Sequence, residues 1–138
     1  MSLSYDVQHG LTIINSNGTA NNLTAAYADN LYVSPAEGMA QARLYIAYTP
    51  VQDGRILSWQ VEVGPSDSDL YKTVSEKIVT GANTVSIMTK SFTGTTADTT
   101  YKLSDAVSIA DKYIRISCKE DGSSNFGTVV VKLILSGR

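Results

Sequence analysis

Two strongly patterned stretches close the chain. In Tyr113-Ile114-Arg115-Ile116-Ser117-Cys118-Lys119-Glu120 the residues Ile114, Ile116 and Cys118 alternate with Arg115, Ser117 and Lys119. That is the period of a strand with one buried and one wet face. The run from Gly127 to Leu135 is apolar apart from Thr128 and Lys132, the pattern of a strand covered on both faces or nearly so. Asp121-Gly122-Ser123-Ser124-Asn125 lies between them as turn residues, and Asp-Gly favours positive φ. The two runs read as a long antiparallel hairpin.

The same alternation recurs upstream. Leu57, Trp59, Val61 and Val63 alternate with Ser58, Gln60 and Glu62, which makes Trp59 a core anchor. Leu44, Ile46 and Tyr48 oppose Arg43, Tyr45 and Ala47, and Thr49-Pro50 ends that strand because proline lacks a backbone donor. Asp53-Gly54 marks a turn, and residues 11–14, 31–33, 83–92, 99–103 and 107–109 supply further short strands. Residues 66–80 have apolar positions at helical spacing, but their β-branched residues favour a loop followed by a strand. Residues 19–30 fit a helical turn or an ordered loop equally.

About eight to ten short strands with turn signals at roughly 8–12-residue spacing predict an all-β fold. The expected form is one antiparallel β-sandwich domain, jelly-roll-like or immunoglobulin-like, with little helix. Residues 31–138 form that domain in this reading. Residues 1–30 form an N-terminal arm and loop region packed on it or extending from it.

Composition narrows the chemistry. At 138 residues and 14.8 kDa the chain is long enough to bury a core without disulfides. Its single cysteine, Cys118, falls on an apolar strand face and reads as a small buried hydrophobe. A net charge of −2, with no run of basic residues, argues against nucleic acid. No apolar stretch is long enough for a membrane helix, and no signal peptide is recognisable. The expectation is a soluble protein made in a cytoplasm.

Catalytic sets are thin. The one histidine, His9, and the one cysteine are far apart in sequence, so neither a Ser-His-Asp site nor a Cys-His pair has support. A structural zinc site lacks ligands, and no phosphate-binding loop motif occurs. Glu62 and Glu76 are candidates for the acid and base pair of a glycosidase, but the spacing between their separate strands is not fixed by the sequence. Asp67 and Asp69 alternate with serines like the start of a calcium loop, but the glycine and closing glutamate of an EF-hand are missing. The chain is therefore read as a non-enzyme without cofactor or metal. Eight tyrosines suit contact surfaces, and Tyr45 shares a strand face with Arg43.

The Tyr-Ile-Arg-Ile strand at 113–116, the Gly/Ser/Asn turn and the Gly-Thr entry into an apolar strand together resemble small virion proteins of tailed bacteriophages. The Trp59 strand and the polar Thr/Gly/Ala loops fit the same group. Within it the chain is most similar to capsid decoration (cement) proteins. The resemblance implies a β-sandwich, commonly trimeric, that binds the major capsid protein and stabilises a phage head in the virion. Tyr5, His9, Arg43 and Tyr45 are the candidate subunit or capsid contacts. The alternative is a carbohydrate- or receptor-binding module such as a fibre tip, with Asp67, Asp69 and Tyr71 as its glycan or ion loop. A tail or neck component remains a third possibility.

Overall fold

The structure, a computed structural model, describes residues 11–15, 23–72, 74–79, 84–87 and 89–137; the side chains described are those of 12–15, 23–72 and 90–137. The strands are β1 (Leu11–Asn15), β2 (Leu31–Pro35), β3 (Met39–Thr49), β4 (Arg55–Ser66), β5 (Asp69–Lys72) and β6 (Val74–Val79). They continue as β7 (Thr84–Ile87), β8 (Thr89–Gly94), β9 (Tyr101–Ser108), β10 (Tyr113–Glu120) and β11 (Thr128–Gly137). The only helix among the described residues is a single 3-10 turn, Tyr27–Asp29.

Two antiparallel sheets make the sandwich. The first, sheet A, has the order β1-β11-β3-β9. The second, sheet B, has the order β2-β10-β4-β5, and β8 also pairs with β4. Strand β4 is long enough to serve two neighbours on one edge: Arg55–Gln60 pair with β8, and Glu62, Val63 and Ser66 with β5. Strands β6 and β7 form a separate two-stranded ribbon. The fold is thus an all-β antiparallel sandwich.

Alternation decides which side chains meet between the sheets. Ala42, Leu44, Ile46 and Tyr48 of β3 are buried, as are Val129, Val131, Leu133 and Leu135 of β11. Leu57, Trp59 and Val61 of β4 and Ile114, Ile116 and Cys118 of β10 face them from sheet B. Each fully buried leucine or isoleucine contributes about 1.5–3 kcal/mol of transfer free energy. Two contributions come from the first thirty residues: β1 pairs with β11, and Leu23 is buried in the core.

The hairpin expected from residues 113–135 is not formed. β10 lies between β2 and β4 in sheet B, whereas β11 lies between β1 and β3 in sheet A. The Asp121–Phe126 segment is an arch from one layer to the other. Its Asp-Gly turn signal is nonetheless correct, since Gly122 has φ 105°. The near-continuous apolar pattern of β11 also has a different cause from burial on both faces. Val130 and Ile134 are only half-buried on the outer face, and Lys132 is exposed there. Likewise residues 83–92 are two strands: β7 pairs with β6, and β8 with β4.

Polar groups tie the layers together. Glu120 occupies an inward position of β10 and is fully buried. Its Oε2 accepts the Tyr48 hydroxyl hydrogen from sheet A, and its Oε1 accepts the Gly127 backbone N–H at 2.8 Å. Arg55 approaches Oε1 at 3.4 Å and also donates to the Asp121 and Ser124 carbonyls at 3.0 and 2.6 Å. Burial, followed by the Glu120 hydrogen bond, pushes the Tyr48 hydroxyl well above its ordinary pKa. At the opposite edges, Trp59 Nε1 donates to Asp105 of β9 at 2.9 Å, and Lys90 of β8 pairs with the same carboxylate at 2.6 Å. Trp59 is the expected core anchor and a cross-sheet strap as well.

Two outcomes follow from this core. Glu120→Ala would leave the Tyr48 hydroxyl, the Gly127 N–H and the Arg55 guanidinium short of their acceptor. It is expected to lower the unfolding free energy in urea by about 3–5 kcal/mol, and a loss below about 1 kcal/mol would contradict the role assigned to the carboxylate. The second concerns Cys118, whose thiol is pushed by burial from 9.0 up to about 12. A folded pKa above the unfolded one gives a contribution complete below the unfolded value and lost as pH rises toward the folded value. Stability is expected to fall by about 1 kcal/mol per unit as pH rises from about 9 to about 10, before Tyr48 adds its own loss. Cys118→Ala should flatten that slope; an equal slope in the variant would show another group is responsible.

Candidate functional site

The outward side chains of sheet B form a polar floor. Glu62 of β4 has Arg115 of β10 opposite it on one side and Lys72 of β5 on the other. One step along the same strands, Gln60 lies opposite Ser117, and Ser117 lies opposite Leu31 of β2. The chain entering β2 continues along the same edge of β10, with Asn30 and Thr24 carbonyls accepting the Cys118 and Glu120 N–H groups at 3.0 Å each. This brings the 3-10 turn beside the floor. Tyr27, Leu31, Gln60, Glu62, Arg115 and Ser117 are among the residues around the resulting groove of about 270 Å³.

The floor is rigid and unusually buried for an outer sheet face. Arg115 grips Glu62 with two parallel bonds, Nε to Oε1 at 2.9 Å and Nη2 to Oε2 at 2.8 Å. Such a fork fixes both side chains and is stronger than a single neutral hydrogen bond. The bond to Glu62 raises the Arg115 guanidinium above its ordinary pKa. Glu62 is 4 % exposed, Gln60 6 % and Ser117 1 %. The Ser117 hydroxyl has no hydrogen-bond partner among the described residues. A buried polar atom left in that state costs about 1–3 kcal/mol. Lys119 lies over the Tyr27 ring with its ammonium 4.8 Å from the centroid.

The residues singled out in the sequence fall elsewhere. Tyr5 and His9 lie outside the described residues. Arg43 and Tyr45 share the outer face of sheet A, where Tyr45 is 42 % exposed. Beside Tyr45 a groove of about 580 Å³ is lined by Ala47, Leu103, Val130 and Ile134, with Lys102 and Lys132 at its margin. Asp67, Asp69 and Tyr71 belong to the exposed β4–β5 hairpin. There the Tyr71 hydroxyl donates to Asp69, which raises the Tyr71 pKa. No group of three potential metal ligands occurs among the described residues.

Of the two glutamates that could form an acid and base pair, Glu62 has both oxygens engaged by Arg115, and the Glu76 side chain lies outside those described. The sheet B groove was not among the sites expected from the sequence. Its signal was present in the polar halves of two clear strands, Gln60 with Glu62 and Arg115 with Ser117, but the register that joins them was missing. No helix among the described residues is long and apolar enough to cross a membrane.

No family model matches the chain, and no curated protein does. Solved structures with a similar course include a family 35 carbohydrate binding module from Clostridium thermocellum. It has a TM-score of 0.48 at 11 % identity, covering 94 % of this chain and 90 % of that one. The CBM22-1 xylan-binding domain of Paenibacillus barcinonensis Xyn10C gives a TM-score of 0.48 at 8 % identity, covering 100 % and 89 %. The K2 cleaved adhesin domain of Lys-gingipain gives 0.46 at 11 % identity, with 79 % of this chain covered. This chain spans 63 % of that adhesin domain's length. Likenesses at these scores leave the functional reading to the geometry of this chain.

Proposed function

We propose that this protein is a non-catalytic binding module that holds a carbohydrate against the outer face of sheet B. The observation that carries the reading is the Arg115–Glu62 fork beside the Gln60 amide and the buried Ser117 hydroxyl, which has no hydrogen-bond partner among the described residues. A sugar offers closely spaced hydroxyls that donate and accept at once. Glu62 retains lone pairs beyond those used by Arg115, Arg115 retains its Nη1 hydrogens, and Gln60 adds an acceptor and donors. Tyr27 and Leu31 supply an apolar wall for the C–H face of a ring. The groove is somewhat below the roughly 300–1,000 Å³ of drug-sized ligand sites, which suits one or two sugar units on an open surface.

The arrangement favours holding over turnover. A glycosidase needs two carboxyl groups flanking the scissile bond, about 5–9.5 Å apart. Glu62 is the one carboxylate lining this groove among the described residues, and it is clamped.

A second reading rests on sheet A. Exposed Tyr45, with Arg43 on the same strand face and half-buried Val130 and Ile134 nearby, forms a surface suited to protein contact. It supports the virion role suggested by the resemblance, with trimer formation and docking on a major capsid protein. A trimer in sedimentation that Tyr45→Asp converts to monomer would favour it, and a monomer at every concentration would count against it.

The carbohydrate reading is tested on a glycan array, followed by titration calorimetry. Reproducible binding to at least one glycan class is expected. Gln60→Ala should weaken it about tenfold, the equivalent of roughly 1.4 kcal/mol, with the protein still folded by circular dichroism. No glycan bound, or affinity indifferent to Gln60→Ala, would remove the reading.

A further inference from the structure

The charges around the groove do not balance. Glu62 is neutralised by Arg115 at 2.8 Å. Lys72 lies opposite Glu62 on the neighbouring strand, is exposed, and forms no ion pair among the described residues. Lys119 lies on β10 two residues beyond Ser117 and places its ammonium over Tyr27. Asp29, at the end of the same 3-10 turn, is turned onto the Thr24 hydroxyl at 2.7 Å. The groove is therefore lined by one ammonium with no ion pair among the described residues, Lys72, and flanked by a second, Lys119, held over the ring of its Tyr27 wall, in a chain whose net charge is −2. They belong to opposite margins, Lys72 to β5 and Lys119 to the end of β10 beside Tyr27.

From this arrangement we infer that the groove selects carbohydrates bearing a negative group, a carboxylate or a sulfate ester, over neutral ones of the same length. The inference rests on the carbohydrate reading of the same groove. Arg115 is not the selecting group, because its fork is already committed to Glu62 and serves to hold the floor rigid. Lys72 and Lys119 act as point charges on flexible stems, a form of recognition that tolerates either anion and several attachment positions. Electrostatic attraction of this kind also speeds encounter and weakens as salt is added.

The test compares three oligosaccharides of equal length by calorimetry: an oligogalacturonate, a sulfated galactan fragment and the neutral galactan. At least one anionic oligosaccharide is expected to bind about fivefold to tenfold more tightly than the neutral one at low salt. The advantage should shrink when salt is raised from about 0.05 M to about 0.5 M. Which anion benefits separates carboxylate from sulfate recognition. The Lys72→Gln/Lys119→Gln double variant should lose the preference, binding the anionic sugar no more tightly than the neutral one.

Equal affinity for neutral and anionic sugars in the parent protein would overturn the inference and leave the carbohydrate reading intact. An anionic preference that survives in the double variant would overturn it too, by placing the selecting charge elsewhere. Failure of all three to bind, together with a blank array, would overturn both.

Discussion

A carboxylate sealed from water governs the architecture. Glu120 belongs to sheet B, its phenolic partner Tyr48 to sheet A, and its third contact, the Gly127 N–H, to the entrance of β11. A buried charge without partners is far too costly to tolerate, so the layers can close only in the arrangement that brings these groups together. Arg55 extends the constraint outward. Its guanidinium satisfies two carbonyls of the arch and lies 5.6 Å from the Phe126 ring centroid. Apolar burial supplies the drive to pack the sheets, but many packings bury leucine and valine. The carboxylate narrows the choice to one register and one direction of the arch.

That register also sets the surface. Because Glu120 and Cys118 must face inward, Ser117 and Arg115 face outward on the same strand. The pairing of β10 with β4 then places them against Gln60 and Glu62. The polar floor is thus a consequence of the core rather than an independent feature. Its rigidity has two sources: both strands have neighbours on each side, and the Arg115–Glu62 fork is bidentate.

Much of the fold was legible in the chain, for a specific reason. Period-two alternation is a local property, so Ile114-Ile116-Cys118 and Leu57-Trp59-Val61 announced their buried faces without knowledge of their neighbours. Which sheet a strand joins is not local. The run from 127 to 135 was assigned to the wrong partner because nothing in Asp121–Asn125 distinguishes a tight hairpin from an arch spanned by a distant arginine. The site shows the same division. Asp67, Asp69 and Tyr71 stood out because they are adjacent in sequence, yet they form an exposed hairpin with Tyr71 bonded to Asp69. Gln60, Glu62, Arg115 and Ser117 are ordinary wet-face residues until pairing across more than fifty positions assembles them. The solvent-facing apolar residues of β11 misled in the opposite sense, since Val130 and Ile134 suggested a second covering layer but border an open groove.

The central placement of β11 bears on how the molecule comes into being. Sheet A is β1-β11-β3-β9, so β1 has no partner and β3 lacks one until residues 128–137 arrive. During translation the earlier strands leave the ribosome with unpaired edges and uncovered leucines, and neither sheet can be sealed by the other. Folding of this kind is gated by long-range pairing, is slow compared with helical domains, and exposes sticky intermediates meanwhile. A nascent chain stalled before residue 128 would be a client for chaperones, whereas one released past residue 137 could close its core.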